Sequence, residues 1–224
     1  MKKLTKAIAL AGAMSVAAFA QADDHGVEVS ASAAVSNMYL WRGTDLGQGT
    51  GAISGDLTAS MGGAYAGVWA SSGDITAGQE YDLYVGFGGE VEDFSYDISV
   101  WSYVYPGVSL EDGETEGNTF ETSELILSAG FMGASASYYH TVSSNPDDYS
   151  YLTLGYGVDA YSVTLGMAMD DVDTGYTHVD LGYAYNDSLS FTLSKIIDDE
   201  AEGTVDAQDD DLKIAVTYSL PIDM

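Results

Sequence analysis

From Asp211 to Leu220 the chain alternates without a break. Asp211, Lys213, Ala215, Thr217 and Ser219 take one parity, and Leu212, Ile214, Val216, Tyr218 and Leu220 the other. Side chains of a β-strand point alternately to opposite faces, so such a strand has one apolar and one polar face. The beat recurs upstream. Tyr81, Leu83, Val85 and Phe87 oppose Asp82, Tyr84, Gly86 and Gly88, and Phe94, Tyr96, Ile98 and Val100 oppose Ser95, Asp97 and Ser99. Tyr161, Val163, Leu165, Met167 and Met169 oppose Ser162, Thr164, Gly166 and Ala168. Thr177, Val179, Leu181, Tyr183 and Tyr185 oppose His178, Asp180 and Gly182. Soluble sandwiches alternate too, so the pattern establishes strands before it establishes an environment.

The spacing of the strands narrows the choice. The periodicity places about twelve of them, near 27–42, 52–60, 64–70, 80–87, 94–105, 119–129, 134–141, 149–156, 161–169, 176–185, 189–196 and 211–220. The connections alternate in length. Short ones fall at 61–63, 88–93, 130–133, 157–160 and 186–188, and longer ones at 43–51, 71–79, 106–118, 142–148, 170–175 and 197–210. Outer-membrane barrels have an even strand number, short periplasmic turns and longer outer loops. A Greek-key sandwich has no reason for this rhythm. The expected fold is therefore all-β: an antiparallel up-and-down transmembrane β-barrel of about 12 strands over residues 23–224.

Residues 1–22 read as a secretory signal peptide and are set apart from the fold. Lys2, Lys3 and Lys6 precede an apolar stretch from Ala7 to Ala20, and Ala20-Gln21-Ala22 is an A-x-A cleavage site. Beyond it no apolar run is long enough for a membrane helix. Only Arg42, Lys195 and Lys213 then remain basic, against 35 acidic residues. Such a chain repels phosphates, which argues against nucleic acid as a partner, and attracts cations. The absence of cysteine removes thiol chemistry and cysteine-based metal sites.

Polar parity assigns Glu28, Asp56, Asp82, Asp97, Glu124, His178 and Asp180 to the lumen, with Arg42 and Lys213 as the cations among them. A charged side chain facing lipid near the midplane costs about 2–4 kcal/mol for Arg or Lys, so charges belong inside. Carboxylates lining a pore favour cations; alternatively, Arg42 and Lys213 bridge to neighbouring acids and plug the interior. Aromatics gather near strand ends, as interfacial girdles do. Tyr39, Trp41, Tyr103, Tyr105, Tyr138, Tyr139 and Tyr149 lie toward the long connections. Tyr65, Phe94, Tyr96, Tyr156, Tyr161, Tyr183 and Tyr185 lie toward the short ones.

Acidic runs at 111–116, 170–173 and 198–210 read as solvated loops that concentrate cations. Asp171 and Asp173, followed by Gly175, form only a fragment of a calcium loop, without the distal bidentate Glu. Ser137 and His140 have opposite parity and cannot share a face. His178 and Asp180 do share one, but no nucleophile accompanies them, so no enzymatic activity and no cofactor are expected.

Two stretches, Val35-Ser36-Asn37-Met38-Tyr39-Leu40-Trp41-Arg42-Gly43 and Gly63-Ala64-Tyr65-Ala66-Gly67-Val68-Trp69-Ala70-Ser71, carry a family resemblance. So do Glu80-Tyr81-Asp82-Leu83-Tyr84-Val85-Gly86 and Tyr103-Val104-Tyr105-Pro106-Gly107. Together they resemble the TorF family of porins, also known as the Gcw_chp family of unknown function. Tyr39, Arg42, Gly43, Gly67, Trp69, Glu80, Asp82, Tyr105 and Pro106 fall on its motif positions. The resemblance implies a proteobacterial exported protein but carries no ligand or catalytic residue. The chain departs from it in Trp41 and in its acidity.

The expected function is an outer-membrane porin of a Gram-negative bacterium passing small solutes, cations preferred, as a monomer or homo-oligomer. Two alternatives stay open. One is a non-conducting structural or adhesive barrel, and the other a soluble secreted β-sandwich binding glycan or calcium.

Overall fold

In the computed structural model the described residues are 26–74, 78–106 and 122–222; the expected leader, the loop acids Glu111, Asp112, Glu114 and Glu116, and the chain's last two residues lie outside them. The strands in chain order are β1 (Glu28–Ser36), β2 (Leu40–Trp41), β3 (Thr44–Asp45), β4 (Ala52–Met61), β5 (Ala64–Asp74), β6 (Gly78–Val91) and β7 (Phe94–Val104). They continue as β8 (Thr122–Phe131), β9 (Ala134–Thr141), β10 (Ser150–Val158), β11 (Tyr161–Met169), β12 (Tyr176–Ala184), β13 (Leu189–Asp199) and β14 (Lys213–Ile222). All but β2 and β3 form one closed antiparallel barrel of twelve strands in sequential order. β1 closes it by pairing with β4 along its whole length and with β14 from Ala31↔Ile222 to Ser36↔Thr217. Closure leaves no sheet edge with unpaired N–H and C=O groups.

Parity is realised as the alternation requires. Val29, Ile53, Leu83, Val85, Ile98, Leu127, Leu154, Val163, Leu181 and Ile214 are exposed on the outer surface. Asp82, Ser99, Glu124, Thr164, His178, Asp180, Thr192, Ser194 and Lys213 are buried within. The exposed aromatics Phe94, Tyr96, Tyr156, Tyr161, Tyr183 and Tyr185 sit near the short turns, with Tyr161 stacked on Tyr183 at 5.1 Å. That half of the expected girdle is present except for Tyr65, which is buried in the lumen and donates to Asp97. The other half is corrected: Tyr103 is buried in the lumen and Tyr39, Tyr105, Tyr139 and Tyr149 make inward contacts. Their parity explains it, because Trp101, Tyr103 and Tyr105 share the face of Asp97 and Ser99.

Four of the connections at one end are two-residue hairpins, at 62–63, 92–93, 132–133 and 159–160. Tight hairpins need a left-handed first residue so that the turn matches the twist of its strands. Here Gly62, Glu92, Met132 and Asp159 have φ of 60°, 57°, 50° and 53°. At the other end two expectations are corrected. Chain expected as the connection 71–79 is mostly strand, because β5 runs to Asp74 and β6 starts at Gly78. The first strand, expected to reach residue 42, stops at Ser36, and the chain turns inward there.

The hairpin after β8 yields a test. Gly133 has φ +88°, and a Cβ there would lie 2.6 Å from the Gly157 carbonyl oxygen. Gly133→Ala should lower stability by about 1–2 kcal/mol, the cost of a left-handed L-residue, before the collision is counted. Urea unfolding of the detergent-folded protein measures this, and an unchanged midpoint would contradict it.

Candidate functional site

The inward turn begins at Asn37, whose side chain takes the place of a strand partner. Its Nδ2 donates to the Ile214 carbonyl at 2.9 Å, and its Oδ1 accepts from Val216 N at 2.6 Å. Beyond it β2 and β3 pair through Leu40↔Asp45 and Trp41↔Thr44. Arg42 and Gly43 form the tip, with φ of 47° and 84°, the two left-handed residues of a primed turn. Asp45 holds the return, accepting from Gly47 N at 3.0 Å and Gly49 N at 2.7 Å. At Gly43 a Cβ would fall 2.6 Å from Cγ of His178, so the tip rests on that ring and only glycine meets both demands.

The tip crosses the lumen from β1 to the opposite wall. Arg42 makes a fork-to-fork pair with Glu124 of β8, Nη1 to Oε1 at 3.0 Å and Nη2 to Oε2 at 2.6 Å. Nη1 also donates to the Tyr149 phenol at 3.0 Å. The guanidinium lies 4.4 Å from the centroid of Trp41, 4.5 Å from that of Tyr151 and 4.9 Å from that of Tyr139. Tyr103 donates to Glu124 Oε2 at 2.7 Å, and Tyr176 donates to the Arg42 carbonyl at 3.0 Å. Arg42 is 4% exposed. A pair this deep survives desolvation only because its geometry is bidentate and its remaining lone pairs are satisfied.

Two polar clusters flank it. On β6, Glu80 accepts from Tyr39 of the inward loop and from Tyr105 at 2.8 Å, while Tyr39 packs on Trp69 at 6.1 Å. Asp82, two residues on and on the same face, is 0% exposed, and among the described residues neither of its carboxylate oxygens has a hydrogen-bond partner. On β12, His178 is 1% exposed and joins Asp180 through Nδ1 at 3.0 Å and the Tyr151 phenol through Nε2 at 2.7 Å. The shared face of His178 and Asp180 is as expected; the group on Nε2 is a phenol.

Lys213 does not reach a lumen acid. Its Nζ donates to the Asp209 carbonyl at 2.5 Å and lies 3.5 Å from that residue's carboxylate, so it anchors the connection 200–212. The backbone N–H of Asp211, with help from Lys213, holds the Asp209 carboxyl below the usual range. Asp209, Asp210 and Asp211 are the only carboxylate trio among the described residues close enough to share an ion, and all three are exposed. Asp171 and Asp173 belong to no such group; it is Asp170 that closes their loop, through Val172 N and Thr174 N.

Nearer the short turns the lumen changes character. Asp56 accepts from Tyr84 at 2.5 Å and Thr58 at 2.9 Å, and Asp97 accepts from Tyr65 at 2.8 Å. Tyr84 stacks on Trp101 at 4.1 Å; Gly67 leaves room for its ring. Beyond these the inward residues are small, and they are exposed or half-exposed: Ser30, Ser32, Ser135, Gly155, Ser162 and Gly182. The interior is thus a vestibule at the short-turn end and is crossed by the loop 37–51 at the other.

The motif positions converge on this crossing. Tyr39, Arg42 and Gly43 lie on the loop, and Trp69, Glu80 and Tyr105 form the wall against Tyr39; Asp82 adjoins them, and exposed Pro106 follows. The receiving tyrosines Tyr139, Tyr149, Tyr151 and Tyr176 were not expected as site residues. Their signal was aromatic character on the inward parity.

The family described as "Bacterial protein of unknown function (Gcw_chp)" matches residues 20–219. No curated protein matches the chain. Among solved structures, an outer membrane channel from Pseudomonas putida F1 aligns with 90% of this chain and 97% of its own, at 12% identity and a TM-score of 0.44.

Arg42→Met and Glu124→Gln should each destabilise by about 3–5 kcal/mol, because each leaves the partner buried without its counter-charge. The double variant should cost far less than the two together. A double-mutant cycle in urea checks this; additivity would mean that the two groups do not act as a pair.

Proposed function

This chain belongs to the Gcw_chp family of bacterial proteins of unknown function, and we propose that it is an outer-membrane channel of a Gram-negative bacterium, narrowed by its own first long connection. The observation that carries the reading is an interior lined by carboxylates, aromatic rings and small polar residues, open at one end and interrupted by one folded-in loop. A barrel meant only as a scaffold gains nothing from buried carboxylates, which are costly to desolvate. The outer surface supports a membrane. Apolar side chains are exposed all round the cylinder, an area that water-soluble monomers do not tolerate. By analogy with other barrels the short turns face the periplasm, so the vestibule opens inward and the loop guards the outer mouth.

Small cations are the preferred solutes. Asp56 and Asp97 line the wall between vestibule and constriction, and the one lumen guanidinium is neutralised by Glu124. Rings of carboxylates select cations by charge.

Planar-bilayer recording of the refolded protein tests the reading. The wild type should give a small conductance with a cation-directed reversal potential. Replacing residues 38–50 by a short Gly-Ser link should raise the unitary conductance several-fold. Silence from both proteins would overturn the channel, and an anion-directed potential would overturn the selectivity.

A further inference from the structure

The β6 wall beside the constriction holds an imbalance that the Arg42 pair leaves uncorrected. Glu80, Asp82 and Glu124 are all buried and inward-facing. Glu124 takes both forks of Arg42, and Glu80 takes the Tyr39 and Tyr105 phenols. Asp82 takes nothing: among the described residues no donor reaches either oxygen, and the side chain is fully buried. The charges that bear on it, Glu80 and Glu124, are of its own sign. An isolated carboxylate in such a place is costly by far more than any hydrogen bond here returns. Two states relieve the cost: the acid carries a proton, or its oxygens hold a cation.

We propose that Asp82 is the anchor of a site for a hard inorganic cation on the lumen wall, with the carboxylates of Glu80 and Glu124 supplying the surrounding negative charge. Among the described residues the charged groups that bear on Asp82 are the carboxylates of Glu80 and Glu124, and oxygen donors suit sodium or calcium rather than a transition metal. Three acids against one guanidinium leave a local surplus of negative charge that a single ion reduces. A bound proton removes only the charge on Asp82 and leaves Glu80 without a counter-ion. The site stands or falls independently of conduction, because binding to a non-conducting barrel would satisfy it equally.

The reporter is already in place. Trp69 is Asp82's register partner on β5, and Tyr103 faces it on β7. The detergent-folded protein is titrated with calcium chloride and, separately, sodium chloride, with choline chloride holding the ionic strength. Tryptophan fluorescence and the urea midpoint are read together. A saturable change with calcium or sodium, absent with choline and weakened more than about tenfold in Asp82→Asn, is the expected result. Asp170→Asn, in a loop outside the lumen and already hydrogen-bonded, should leave the change intact. A saturable response that survives in Asp82→Asn would place the ion elsewhere. No saturable response in the wild type would leave Asp82 as a protonated acid and overturn the site. The wild-type titration decides this even if Asp82→Asn fails to fold, and migration in cold detergent reports which variants are closed barrels.

Discussion

Closure of the sheet is the constraint on which everything else rests. Once β1 pairs with both β4 and β14, every strand has two neighbours and the backbone's hydrogen-bonding groups are used up in the wall. Side chains then have only two destinations, outward or inward, and the alternation of the chain sorts them. The apolar parity faces out all round. Nearly every ionisable group of the strands is driven into one narrow interior, where solvent is scarce and each charge must find a partner. The inward loop answers that demand: it brings a guanidinium to an acid that no barrel strand supplies with a base.

That division explains what the sequence disclosed. A period of two and a long-short rhythm are local properties, and they placed eleven of the barrel strands close to their observed limits. The first strand ran too long because Asn37-Met38-Tyr39-Leu40-Trp41 continues a strand-like composition past the real end at Ser36. What stops it is a tertiary event: Asn37 bonds to Ile214 and Val216 of β14, from the far end of the chain. No local pattern announces a bond across almost the whole sequence.

The site was legible as parity and illegible as pairing. Asp56, Asp82, Asp97, Glu124, His178 and Asp180 all face inward, as alternation demands. Which of them meet could not be read, since partners such as Arg42 and Glu124 lie on elements that do not pair with each other. Lys213 illustrates the difference. Its inward parity was right, yet the flexible ammonium reaches the carbonyls of the connection 200–212 instead of an acid across the lumen. The interior aromatics were misassigned for a related reason. Tyrosine is equally at home at a membrane interface and against a buried carboxylate, and only its parity tells the two apart.

The choice of cation at the loop tip follows from the same physics. Arg42 has to satisfy two oxygens of Glu124 and a phenol at once while lying against the rings of Trp41, Tyr139 and Tyr151. A planar guanidinium does this because its forked donors lie in one plane and its faces are weakly hydrated; an ammonium offers neither. The aromatic lining is thus the other half of the ion pair. It replaces the water that the guanidinium gives up, and it excludes solvent that would weaken the attraction to Glu124. Tyr149, Tyr151 and Tyr176 approach the tip from the connection before β10, from β10 and from β12, so the loop is clasped from several sides at once. A loop held this way has one well-defined seat, which is what a constriction needs if the width beside it is to be set by structure and not by chance.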